Sequence, residues 1–162
     1  MHEFIACDRD KCVGCGMCEL ACSGYHERGY NPQLSRIRIV KTGLDQNLAI
    51  SCRLCEDPPC VAACPRDALK QEDTGIVIVD ESKCTGCAWC VAACDFGAIS
   101  IHLGSKATFL CNLCIEELEK GRKPKCILAC PEEALEKVTA DAFAAKHRST
   151  SLSLLQKTEE QL

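Results

Sequence analysis

The spacing of cysteines constrains this chain more than any other feature. Sixteen of its seventeen cysteines fall into four runs: Cys12-x2-Cys15-x2-Cys18-x3-Cys22, Cys52-x2-Cys55-x4-Cys60-x3-Cys64-Pro65, Cys84-x2-Cys87-x2-Cys90-x3-Cys94 and Cys111-x2-Cys114-x11-Cys126-x3-Cys130-Pro131. In paired runs of this kind the first three cysteines bind one [4Fe–4S] cluster and the fourth reaches across to the other. Sixteen thiolates meet the requirement of four cubanes. Two bland readings fit less well. Zinc sites typically use two CxxC knuckles separated by a longer spacer, without a third cysteine two residues on. A secreted disulfide scaffold would strand one thiol of an odd total.

Composition agrees with cluster binding. The 162 residues fit one compact unit or two small ones. With four Phe, two Tyr and one Trp, the clusters themselves must supply much of the core, so folding and metal binding are expected to be coupled. Met1-His2-Glu3-Phe4 opens into a cysteine motif without a signal-peptide pattern, and no apolar run is long enough for a bilayer. The expectation is a soluble cytoplasmic protein with no direct membrane span. The formal charge is −4 with cysteines neutral. Four oxidised clusters at roughly −2 each would bring it to about −12. Such a charge argues against nucleic acid as a partner, although Arg9, Lys11, Arg53, Arg66, Lys83 and Lys125 soften it beside the ligands.

Along the chain, residues 4–11 read as a strand leading into the first run, with Cys7 as a small buried hydrophobe beside a cluster. Gly14, Gly16 and Gly86 let the backbone approach sulfur with positive φ. Tyr25 to Pro32 reads as a loop. Residues 35–40 and 47–51 form a β-hairpin that delivers the chain to Cys52. The spacer Glu56-Asp57-Pro58-Pro59 is stiff. Arg66 to Leu69 reads as a single helical turn before the strand Ile76 to Val79. Phe96 to Ile99 gives a turn, and Ile99 to Leu103 a strand. Residues 115–120 read as a short helix stopped by Gly121, ahead of a basic approach to Cys126. Residues 132–147 are helix-prone, and the polar tail is read as loosely held or docked on a partner. Ser23 and Asp95 stand where the second and fourth runs carry proline.

The two inner runs have the short connection of a two-cluster ferredoxin and are expected to pair. The outer two then form a second module around them, although sequential pairing is the competing topology. The nested reading gives an α+β fold of two bacterial-ferredoxin-like dicluster modules, with short helices and β-hairpins around four [4Fe–4S] clusters. Its parts are an inner module at 48–104, an outer module made of 1–47 with 105–140, and a C-terminal helix or tail at 141–162. Cluster 1 takes Cys12, Cys15, Cys18 and Cys130, and cluster 2 takes Cys111, Cys114, Cys126 and Cys22. Cluster 3 takes Cys52, Cys55, Cys60 and Cys94, and cluster 4 takes Cys84, Cys87, Cys90 and Cys64.

The segments CVGCGMCELAC, CRLCEDPPCVAACP, CTGCAWCVAAC and CNLC…GRKPKCILACP resemble, in order and spacing, the ferredoxin-like iron–sulfur subunits of multi-subunit oxidoreductases. The match runs over about residues 5–137. That family serves molybdenum or tungsten pterin enzymes, carbon monoxide dehydrogenases and some hydrogenases. The resemblance implies nested pairing, a wire of four clusters, a catalytic partner subunit and a flavin or ferredoxin as acceptor. Some members replace one cysteine by tryptophan and hold a [3Fe–4S] cluster; Trp89 lies between ligands here and replaces none. Ser23-Gly24-Tyr25-His26, Asn31-Pro32 and Ser35-Arg36-Ile37 look most like the small subunits of tungsten aldehyde or benzoyl-CoA-type enzymes.

Catalysis by the chain alone is not expected. The Cx3Cx2C triad of radical SAM enzymes is absent, because Tyr25, Asp67, Gly97 or Glu133 stands at its third position after each Cys-x3-Cys pair. There is no glycine-rich nucleotide loop. His2, His26, His102 and His147 are scattered and read as surface or loop residues, and Trp89 and the tyrosines as packing. The alternatives are the electron-transfer subunit of a formate dehydrogenase, carbon monoxide dehydrogenase or hydrogenase, a free-standing polyferredoxin, or a structural protein stapled by its clusters.

Overall fold

In a computed structural model, residues 3–41, 43 and 46–159 are described, without the side chains of 150 and 152–159. Among the described residues the chain forms four two-stranded antiparallel sheets, six α-helices and one turn of 3-10 helix at Pro32–Leu34. Strand β1 (Glu3–Cys7) pairs with β8 (Leu135–Thr139), so that Glu3 faces Thr139 and Cys7 faces Leu135. Strand β2 (Ile37–Lys41) pairs with β3 (Asn47–Ser51). Strand β4 (Leu69–Gln71) pairs with β5 (Val77–Val79), and β6 (Ser100–Ile101) with β7 (Thr108–Phe109). The sheets formed by β4 to β7 thus lie, in sequence, between the two halves that β1 and β8 bring together.

The cysteine runs dictate where the helices fall. Helices α1 (Met17–Glu27), α2 (Pro59–Ala62), α3 (Trp89–Ala92) and α5 (Lys125–Leu128) each carry the third cysteine of a run as their second residue: Cys18, Cys60, Cys90 and Cys126. Proline suits the start of such a turn, since its fixed φ is already helical and its missing N–H is unneeded there. Pro59 opens α2, and Pro124 immediately precedes α5. Helix α1 packs on α5, and α2 on α3. The remaining helices are α4 (Ile115–Glu119) and α6 (Ala140–Glu159). The core interleaves Ile5, Ile37, Leu54, Leu69, Val77, Ile99, Leu110, Leu113 and Leu135 with the cysteines.

Several local expectations need correction. Strand β1 stops at Cys7 because Asp8 begins a turn: its side chain accepts from Asp10 N–H and its carbonyl from Cys12 N–H. Helix α1 runs through Tyr25 to Glu27, where a loop was expected, since Ser23 leaves the helical ladder intact where proline would break it. Pro65 and Arg66 form a tight turn closed by Asp67 N–H to the Cys64 carbonyl, with Asp67 at φ 49°, where a helical turn over Arg66 to Leu69 was expected. Residues 135–139 are strand, not helix. The exposed backbone edge of apolar β1 needs a partner, and pairing overrides the local helix propensity. Helix begins only at Ala140. The hairpin of β2 and β3, and α4 followed by Gly121 at φ +69°, stand where expected.

Candidate metal centres

Each run presents its cysteines through the same backbone device. The residue before the second cysteine is left-handed in all four: Gly14 (φ 69°), Leu54 (φ 49°), Gly86 (φ 68°) and Leu113 (φ 57°). For leucine this costs about 1–2 kcal/mol. Leu54 and Leu113 offset it by burial, at 2% and 6% exposure. At Gly86 a Cβ would lie 2.4 Å from the Lys106 carbonyl oxygen, and at Gly14 it would lie 2.5 Å from the Asn47 side chain.

A second device follows the fourth cysteine. Asp67, Gly97 and Glu133, each three residues beyond it, are left-handed. The next N–H then donates to the sulfur: Ala68 to Cys64 at 3.3 Å, Ala98 to Cys94 at 3.5 Å and Ala134 to Cys130 at 3.3 Å. The first run departs from this, because Cys22 lies inside α1. Its Sγ accepts instead from Arg36 N–H at 3.3 Å.

Two cavities bring cysteines of different runs together. Cys12, Cys15 and Cys18 line one small cavity together with Cys130, Ile39 and Leu135. Cys84, Cys87 and Cys90 line another with Cys64, Leu69 and Thr108. Burial pushes the Cys52 thiol up to about 11, with the charges of Cys60, Cys55 and Cys94 adding to the effect. Burial and then Cys94 raise Cys60 to about 11. Cys111 rises to about 12 through burial, with Cys22, Cys52 and Cys114 contributing. Cys126 is pushed up by burial and by Cys111, Cys114, Cys22 and Cys18. Packed thiols that resist ionisation in this way need a strong Lewis acid before they can all be thiolates, and iron is a suitable soft-ligand metal. Among the described residues no three His, Cys, Asp or Glu groups converge to hold a single metal ion. The donor set fits a polynuclear group: soft sulfur ligands, with backbone N–H groups directed at sulfur.

Exposure varies within the sets. Cys15 and Cys87 are the exposed cysteines among the described residues; Cys18, Cys22, Cys52, Cys60, Cys90, Cys111, Cys114 and Cys126 are buried, and Cys55 and Cys94 are half-buried. Cys52 lies near enough to Cys111 to act on it electrostatically.

Three supporting residues escaped the sequence reading. Thr108 is buried, its N–H donates to Cys84 Sγ at 3.4 Å, and its hydroxyl lies 3.2 Å from Cys90 Sγ. His26 Nε2 lies 3.9 Å from Cys114 Sγ. Burial, with the Arg36 charge added, brings its pKa down to about 4 and keeps the ring neutral. Glu117 is 3% exposed and gathers Lys125 at 2.6 Å, Arg122 at 2.8 Å and Lys120 at 3.9 Å. That ion cluster closes the long spacer before Cys126. Cys7 is buried, accepts from Ala49 N–H at 3.4 Å, and feels Cys12 and Cys130. No helix among the described residues is long and apolar enough to cross a membrane.

Comparison with known proteins places this geometry. The 4Fe-4S dicluster domain family matches residues 46–139. The B subunit of the anaerobic dimethyl sulfoxide reductase of Escherichia coli (strain K12) is 36% identical over 155 residues, covering 86% of this chain and 75% of the relative. The polyferredoxin-like subunit of an aliphatic sulfonate oxidoreductase from Pyrococcus furiosus is 39% identical over 158 residues, covering 91% and 88%. The active site complex BamBC of benzoyl coenzyme A reductase with 1,5-dienoyl-CoA superimposes with a TM-score of 0.50 at 23% identity, covering 99% of this chain and 98% of that one. This last likeness is one of fold.

Proposed function

The chain belongs to the 4Fe-4S dicluster domain family, and from that premise we propose that it carries four [4Fe–4S] clusters in a row as the electron-transfer subunit of a multi-subunit oxidoreductase. The observation that carries this reading is the mixing of runs: each of two cavities is lined by three cysteines of one run and the last cysteine of another. Cluster 1 is held by Cys12, Cys15, Cys18 and Cys130, cluster 2 by Cys111, Cys114, Cys126 and Cys22, cluster 3 by Cys52, Cys55, Cys60 and Cys94, and cluster 4 by Cys84, Cys87, Cys90 and Cys64. Runs two and three make the inner module (48–104). Runs one and four make the outer module (1–47 with 105–140).

Bound cubanes supply one-electron chemistry. The chain's residues do the rest. Sixteen thiolates occupy the irons, so no position is left for substrate, and the subunit conducts rather than catalyses. Backbone N–H groups of Arg36, Ala68, Ala98, Thr108 and Ala134 donate to ligand sulfurs and hold their charge in place. Exposed Cys15 and Cys87 put clusters 1 and 4 at the ends of the path, with buried clusters 2 and 3 between them.

The catalytic partner we propose is a tungsten or molybdenum pterin subunit of aldehyde oxidoreductase type, with a flavin protein or ferredoxin as acceptor, in the cytoplasm. A second reading, a partner acting on sulfonates or sulfoxides, is favoured by the names of the two curated relatives. Anaerobic purification of the native complex with metal and product analysis separates them. Tungsten with aldehyde oxidation supports the first, sulfonate or sulfoxide turnover supports the second, and nickel defeats both. Substrate turnover by the isolated subunit would defeat the non-catalytic reading.

A further inference from the structure

Two buried side-chain nitrogens lack a hydrogen-bond partner among the described residues, Arg36 Nε and Arg53 Nη1. Burying a guanidinium without a counter-charge is expensive. Yet neither arginine takes part in any ion pair found among the described residues. Arg53 stands between Cys52 and Cys55. Its guanidinium carbon lies 4.6 Å from the ring centre of Phe4, 5.3 Å from Phe143 and 5.5 Å from Phe96. The phenylalanines form a half-closed aromatic cage that holds the cation and keeps water from it. Burial pushes the Arg53 pKa down, and Cys7 and then Cys55 act against that effect. Arg36 carries the N–H that binds Cys22 Sγ, and its side-chain charge acts on Cys114 and His26. A half-buried guanidinium with one unpartnered nitrogen therefore accompanies each of these two ligand sets, and no carboxylate among the described residues pairs with it.

We propose that Arg53 and Arg36 set the reduction potentials of the two interior clusters, Arg53 that of the cluster on Cys52, Cys55, Cys60 and Cys94, and Arg36 that of the cluster on Cys22, Cys111, Cys114 and Cys126. The inference rests on the cluster assignment proposed above. Reduction adds one electron from an external low-potential donor to a cluster that is already anionic. A buried site disfavours the added negative charge. A fixed cation beside the ligands offsets that cost and raises the potential. The arginine is protonated in both redox states, so no proton moves with the electron. The terminal sets, with exposed Cys15 and Cys87, have solvent to play this part. The middle of the path thereby stays reducible although it is buried.

The test is EPR-monitored redox titration of the anaerobically purified full-length holoprotein, with iron counted on the same samples. At a fixed potential, Arg53→Met lowers the reduced-to-oxidised ratio of one cluster about tenfold, a midpoint fall of about 59 mV for one electron. Arg36→Met does the same to a different cluster. Arg53→Lys and Arg36→Lys keep the charge and hold the ratio within about twofold of wild type. Unchanged midpoints in Met variants that retain full iron overturn the proposal. So does loss of iron from Lys and Met variants alike, which assigns the arginines to packing. Loss of iron from the Met variants alone supports it, because charge is then what the cluster requires. A wild-type protein holding fewer than four clusters defeats the cluster assignment instead, and the iron count on that sample tells the two failures apart.

Discussion

At the scale of single residues, the sulfurs are tuned by groups that approach from far along the chain. Thr108 is the clearest case, since its N–H and its hydroxyl meet two ligands of the third run. A hydrogen bond to sulfur favours the reduced, more negative state. Thr108→Val keeps the shape and removes the hydroxyl. One lost bond of about 1 kcal/mol lowers the midpoint of cluster 4 by about 40 mV, read by redox titration against the other clusters. The two motif glycines are separated by what surrounds them. Gly86→Ala drives a Cβ against the Lys106 carbonyl, which cannot swing aside, whereas Gly14→Ala meets the Asn47 side chain, which can. Both pay about 1–2 kcal/mol for a left-handed alanine. Gly86→Ala is expected to lose more iron on anaerobic purification than Gly14→Ala, by metal analysis. The cysteine runs and these glycines are legible in the sequence because close approach of backbone to sulfur imposes a spacing. Thr108 and His26 are not, because their partners lie 18 and 88 positions away and no local pattern marks them.

At the scale of elements, the repeated turn geometry explains both what could be read ahead and what could not. Helices α2, α3 and α5 are single turns that start beside the third cysteine, where the sequence reading placed no helix and looked for turns after the fourth cysteine instead. Helix α1 outgrows its motif because nothing after Cys22 stops it. Strand β8 is hidden because Leu135 to Thr139 is strand only by virtue of β1, more than a hundred residues away in sequence. The long spacer of the fourth run is fixed by charge. Hydrogen bonding from Lys125, with the charges of Arg122 and Lys125, holds the Glu117 carboxyl below its usual range. A depressed folded-state pKa stabilises at every pH above the ordinary carboxylate range and fades only as pH falls through the lowered value. Glu117→Gln should therefore lower the melting temperature by several degrees, equally at neutral and mildly alkaline pH. A deficit that changed across that window would count against the ion cluster.

At the scale of the whole molecule, more than a third of the buried core cluster is cysteine. Metal and fold are then one equilibrium. Removal of iron by a chelator under anaerobic conditions should abolish the cooperative melting transition and the strand signal in circular dichroism. An apoprotein that kept a sharp melt would show that the apolar residues suffice. The central claim is the exchange of fourth cysteines between runs. Diffraction from the holoprotein at the iron absorption edge tests it most directly. The account predicts four iron cubes per chain, with Cys130 Sγ on the cube held by Cys12, Cys15 and Cys18, and Cys94 Sγ on that held by Cys52, Cys55 and Cys60. Two cubes, or four with Cys22 and Cys64 exchanged between the first and second runs, would contradict it.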